Sequence, residues 1–252
     1  MTRQPGAFLA LWNGISSAAL QPEYETWHTM EHVPERVGLP GFIEASRYRR
    51  SPANGGAPQY FTCYWLDSLK ALESPQYREV FTHPTPWSAR MRHQLRDFMR
   101  LPCTLGGTFG PSSARALCAL RWAGPAETLA PALDAALSDM VERAVVVSAQ
   151  WGWVQAGGDF PIANQPDDTA AAVPGREAVL LLQGLDDAML VAAVAALTTT
   201  LAPAGQAVAD PAFFTLLSQV RQDALVLAGT HTYQRQPPKT TLFHTFNPGD
   251  TP

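Results

Sequence analysis

What most constrains this chain is the order in which two periodicities alternate along it. Short apolar runs of strand length are interleaved with stretches of helical spacing, in a pattern that occurs twice. Residues 7–12 form an apolar run that Gly14 and the pair Ser16 and Ser17 break. Pro22 then suits the first turn of a helix, and Glu23 and Glu25 favour its N-terminus. Pro34 and the segment 38–41 are expected to end that helix. Residues 42–50 and 60–66 read as strands joined by a hairpin-type connection rich in Pro and Gly. Helical stretches at 68–74 and 85–95 and a strand at 98–105 complete the first unit. The second half repeats the order. A strand at 115–122 precedes a helix at 125–140, where Leu129, Leu133, Leu137 and Met140 share one face, and strands follow at 145–155 and 177–184. Helices are expected at 186–201 and 213–221, with a closing strand at 225–233. Two β-α-β-β-α-β units in tandem, the split βαβ arrangement, make an α+β protein. Units at 1–106 and 113–235 are expected, joined by a Gly, Pro and Ser-rich linker and followed by a tail at 236–252 that offers a short strand at 241–246. An antiparallel sheet with helices on one face leaves the other face apolar, and pairing two such sheets buries both.

Composition narrows the partners. Of 252 residues 46% are apolar and 16% charged, which is ample for a core, and the formal charge of −4 comes with no basic run denser than Arg47, Arg49 and Arg50. A nucleic-acid backbone needs an extended positive surface, so that partner class is set aside. The cysteines Cys63, Cys103 and Cys118 are odd in number and lack C-x-x-C spacing, which argues against a disulfide framework or a zinc knuckle. The start of the chain is polar, with no signal-peptide pattern, and the longest apolar stretch, 188–201, is short for a bilayer span. A cytoplasmic protein without a membrane partner is the expectation.

One segment carries chemistry: Trp27-His28-Thr29-Met30-Glu31-His32-Val33-Pro34-Glu35-Arg36. His28, Glu31 and His32 match H-x-x-E-H, in which histidines one turn apart can both reach a metal. Pro34 sits immediately behind them and no later segment supplies a clear third ligand, so no metal site is expected.

The same run, continued by Leu39-Pro40-Gly41-Phe42 and Arg47-Tyr48, resembles the first helix and second strand of EthD-like and related dimeric α+β barrel proteins, built from ferredoxin-like units. Ser74-Pro75-Gln76-Tyr77 and Thr85-Pro86-Trp87-Ser88 fit the later part of that pattern. The match covers residues 7–105; the second half lacks the histidine motif and reads as a degenerate copy. The resemblance implies two sheets packed as an α+β barrel, a homodimer, and a pocket between helix and sheet for a small-molecule ligand. It also implies an enzyme-like role for His32, whose neutral imidazole can move a proton near neutral pH. Glu31 would orient it, Arg47 would hold an anionic or enolate-like oxygen, and Tyr48 or Tyr64 would donate a hydrogen bond. His28, Arg36 and Trp87 complete the expected ligand contacts, and no cofactor is expected. Proton transfer on an aromatic or polyketide-like compound, in a dehydratase, isomerase or monooxygenase-like reaction, is the activity that follows. The alternative is a non-catalytic ligand-binding or structural protein of the same fold. His32 also fits a helix-end role, Arg36 a pairing with Glu31 or Glu35, and the aromatics a core.

Overall fold

The computed structural model describes residues 3–52, 56–156, 176–225 and 234–249. The first half runs β1 (Ala7–Ile15), α1 (Gln21–Trp27), a π-helical turn (His28–His32), α2 (Val33–Val37), β2 (Phe42–Arg50), β3 (Tyr60–Leu66), α3 (Pro75–Thr82), α4 (Pro86–Arg92) and β4 (Leu95–Phe109). The second runs β5 (Ala116–Ala123), α5 (Ala126–Glu142), β6 (Ser148–Val154), β7 (Glu177–Gly184), α6 (Asp187–Leu201), β8 (Gln206–Ala207), β9 (Ala212–Arg221) and α7 (Gln222–Leu225), and α8 (Thr240–Phe246) lies in the tail.

All strand pairs are antiparallel. The order β7-β6-β4-β1-β3-β2-β9-β5 returns on itself because β5 also pairs with β7, which closes an eight-stranded barrel. Each half contributes a quartet in the order fourth, first, third, second strand: β4-β1-β3-β2 and β9-β5-β7-β6. The quartets join at two seams, β2 with β9 and β4 with β6.

Period-two alternation sorts the side chains. Phe8, Ala10 and Trp12 of β1, Phe61 and Cys63 of β3, Leu117 and Ala119 of β5 and Phe214 of β9 point inward and pack together. Eight strands enclose a space that side chains just fill, and here those aromatic rings fill it. Helices cover the outer face. In the second half α5 and α6 lay Leu129, Leu133, Leu137, Leu190 and Leu197 on Leu120, Trp151, Leu180 and Leu182, each fully buried leucine worth about 1.5–3 kcal/mol. By length and composition alone the segment Asp187–Ala204 could cross a membrane, but Leu190, Ala193, Val194, Leu197 and Leu201 pack their apolar surface into this core.

Several sequence expectations give way. Residues 213–221 are strand β9, not helix. A bulge opposite Arg47 and Tyr48 puts an extra residue into β9, so its outward apolar positions Phe213, Leu217 and Val220 fall at i, i+4 and i+7, the spacing of a helix. The expected closing strand begins in helix α7 at Leu225 and otherwise lies outside the described residues, as does His231. Gly106 and Gly107 are not linker but part of β4: a Cβ on Gly106 would lie 2.5 Å from the Trp151 ring, so glycine makes room for that indole across the seam. Residues 241–246 form helix α8, not a spare strand. The two quartets meet within one chain. Residues 75–82, between the helical stretches expected at 68–74 and 85–95, form helix α3, with the Ser74 hydroxyl accepting from the Tyr77 amide.

Candidate functional site

The helical frame comes from local sequence. Pro22 lies in the first turn of α1, and the buried Trp27 donates its indole N–H to Ser88 Oγ at 3.2 Å. Pro34 does not end the helix. It has no N–H to offer the preceding turn, and the chain widens just before it: the Val33 amide donates to the His28 carbonyl, five residues back. The helix resumes through Val37. Gly41, at φ +84° in the turn to β2, leaves room for Ala71. The α2 exit is held by Gln222 of α7, whose side-chain amide donates to the Val37 and Leu39 carbonyls at 2.8 and 2.7 Å.

The π-turn sets the histidines. One wide turn brings residues four apart nearly into line, so the His28 and His32 rings stack at 4.7 Å with planes 23° apart, and His32 lies 4.4 Å from the Trp27 ring. Such widened turns occur often at functional sites.

Both rings line a pocket between this helix and the outer face of the first quartet. Leu9, Leu11 and Asn13 come from β1, Thr62 and Tyr64 from β3, Phe42 from β2, and Phe98 and Arg100 from β4. Arg36, Tyr77, Phe81, Arg92 and Leu95 close the sides. The pocket is partly open to solvent, and the empty space in it and its mouth together is about 700 Å³. Three arginines, Arg36, Arg92 and Arg100, are among the lining residues, and among the described residues no Asp or Glu is. Arg36 and Arg92 both lie against the Phe81 ring, 5.9 and 5.2 Å from its centroid.

Burial drives both histidines well below their ordinary pKa. Beside His28 the Arg47 guanidinium adds to the effect, and beside His32 the Arg36 guanidinium does. Both are therefore neutral imidazoles at neutral pH. Among the described residues neither Nδ1 atom has a hydrogen-bond partner, nor has the Tyr64 hydroxyl, although all three are buried. Burial raises the Tyr64 pKa, which keeps its proton in place as a donor. Burial, helped by Arg36, lowers Arg92 to about 10.

The structure thus brings His28, His32, Arg36 and Tyr64 to one cavity and sends the other candidates elsewhere. Glu31 does not orient His32: it accepts from Thr85 Oγ1 at 2.5 Å and from the Lys239 backbone amide at 2.6 Å, tying the tail to the helix. Arg47 packs over the Tyr24 ring behind the helix and donates to the Glu25 carbonyl and to Thr29 Oγ1, outside the pocket lining. Tyr48 lies on the opposite face of β2, inside the barrel. Trp87 belongs to the tail-docking cluster, donating to Glu23 Oε1 at 3.1 Å and packing on Phe243 and Phe246. Arg36 makes one of the expected pairings, donating to Glu35 Oε2 at 2.7 Å, but in a buried setting. Arg92 and Arg100 were missed by the motif. Alternation along β4 does place Phe98 and Arg100 on one face, and that was the available signal. His28 and His32 offer two imidazoles, but among the described residues no group of three or more His, Cys, Asp and Glu side chains is placed to share a metal ion.

No family model and no curated protein matches this sequence. Solved structures do match in shape. An anthrone oxidase-like protein superimposes with a TM-score of 0.60 at 10% identity, over 91% of this chain and 99% of the other. A candidate monooxygenase from Lactobacillus acidophilus NCFM gives 0.53 at 9%, over 87% and 97%. A chlorite dismutase from Candidatus Nitrospira defluvii gives 0.51 at 12%, over 88% and 94%. At such identities the likeness is one of fold. What this chain shares with them is the fold, an α+β barrel closed by eight antiparallel strands.

Proposed function

We propose that the chain is a small-molecule enzyme that moves a proton on a flat, largely apolar compound held between the α1–α2 helix and the β1-β3 face. The observation that carries this reading is a neutral imidazole, His32, lining the same pocket as the buried hydroxyl of Tyr64. A neutral ring can accept a proton from a carbon acid, and a protonated phenol can donate to the oxygen that gains charge. Arg36 beside His32 disfavours the imidazolium form and so favours passing the proton on. His28, stacked on the same ring, takes a positioning role.

The motif at Trp27, His32, Pro34, Arg36 and Tyr48 supports an EthD-like assignment, and the matching strand order of the quartets supports two tandem ferredoxin-like units. The anthrone oxidase-like neighbour suggests the probe. Anthrone, a tricyclic ketone with an acidic CH2, is incubated anaerobically in D2O and exchange of that CH2 is followed by NMR. We expect exchange faster than in buffer, and a loss of about 100-fold or more in His32→Gln, the usual weight of a general base. Parent exchange no faster than in buffer would favour the alternative of a non-catalytic binding protein, and a His32→Gln variant that exchanges like an active parent would remove His32 as the base. Cofactor independence belongs to the same proposal: an absorption spectrum of the purified protein without bands above 320 nm is expected, and a stoichiometric visible chromophore would reverse it. Homodimerisation is read as contact between outer surfaces of complete barrels, with exposed Leu185 and Val191 at α6 offering apolar area. Light scattering at the mass of one chain would overturn it.

A further inference from the structure

The pocket's charge is one-sided. Arg36 comes from the helix, Arg92 from the end of α4 and Arg100 from β4, so three separate elements each send a guanidinium to the same lining, which holds no carboxylate among the described residues. Gathering like charges in a half-buried space is costly unless something negative joins them. Part of the cost is met locally. Glu35 pairs with Arg36 and, through its other oxygen, with Arg235 at 2.6 Å. Arg92 donates to the carbonyls of Phe81 and Val80 at 2.9 and 2.6 Å, which fixes its position without neutralising it. Around the arginines the walls are apolar: Leu9, Leu11, Phe42, Phe98 and the ring of Phe81.

We infer that this pocket is built for a ligand that is anionic at rest: a flat apolar body bearing a carboxylate or an ionised enol or phenol, its charged end set among Arg36, Arg92 and Arg100. The inference rests on the same pocket as the proposed proton transfer and names the class of compound that enters it. Guanidinium groups suit such oxygens because they donate in a planar fork. An anion there would also offset the Arg36 repulsion that adds to burial in keeping His32 neutral, so binding and basicity would rise together.

The test uses two compounds of the same shape, 2-naphthoate and 2-naphthamide, titrated at pH 7.5 against tryptophan fluorescence, since Trp27 lies against His32. The charged compound is expected to bind about tenfold or more tightly, the worth of one charge-assisted contact. Arg100→Gln is expected to erase most of that preference while leaving naphthamide affinity within about twofold. Equal affinity of the two compounds for the parent protein, or no saturable binding of either, overturns the inference. An equal loss of both compounds in Arg100→Gln overturns the role of that residue. The parent comparison stands even if a variant misfolds. Naphthoate binding is repeated on His32→Gln and is expected to persist, so a failed catalytic reading and a failed anion reading give different results.

Discussion

At the scale of the residue, His28 and His32 are the costliest feature of the site. Each is buried, stacked on the other, and faced by arginines: Arg47 and Arg36 for His28, and Arg36, Arg92 and Arg47 for His32. Their folded pKa values lie well below the ordinary 6.5, so the unfolded chain binds protons that the folded one refuses. Stability contributed by the neutral rings is therefore intact above that value and is lost as pH falls below it, by up to about 1.4 kcal/mol per pH unit for each ring. Urea midpoints measured at pH 7.5 and 5.5 are expected to drop on acidification, and the drop is expected to shrink in His28→Gln/His32→Gln. An equal drop in that variant would show the loss to arise elsewhere. The sequence made His32 conspicuous through its neighbours Trp27, Pro34 and Arg36. The roles implied for Glu31 and Arg47 did not survive because position along a helix or strand says which residues share a face and nothing of what packs on that face. The partners of Glu31 are Thr85 and Lys239, far along the chain.

At the scale of the element, the tail explains why the first helix carries so many acids. Glu23 accepts from the Asn247 side chain, Glu31 from the Lys239 amide and Glu35 from Arg235, while Phe243 and Phe246 cover Trp87. The tail is thus a strap across α1 and α4. Removing residues 236–252 strips Trp87 of its cover and leaves Glu23 and Glu31 without these bonds, and is expected to lower stability by about 2–5 kcal/mol. A urea titration with an unchanged midpoint would contradict the packing. Helix α8 was read as a strand because a short apolar run carries no decisive period. Strand β9 was read as a helix because its bulge imitates helical spacing. By contrast β2, β3 and β7 were legible to the residue, each a run of strand length bounded by turn residues.

At the scale of the whole molecule, closure of the sheet joins the halves. Each quartet taken alone would bare two edges and an apolar face, since β2 and β4 find partners in β9 and β6 of the other half. A fragment of residues 1–106 is therefore expected to aggregate or self-associate, and the full chain to unfold in one transition by tryptophan fluorescence and far-ultraviolet dichroism alike. A soluble, monomeric, folded fragment would contradict the shared core. Alternation and turn residues are local properties, so the amino-acid sequence alone determined the α+β class, the strands β2, β3 and β7 and the helix that bears the histidines. The seams, the filled barrel interior, the strap and the meeting of Arg36, Arg92 and Arg100 were decided by tertiary structure. Each brings together residues far apart in the chain, through pairing and packing that no short stretch encodes.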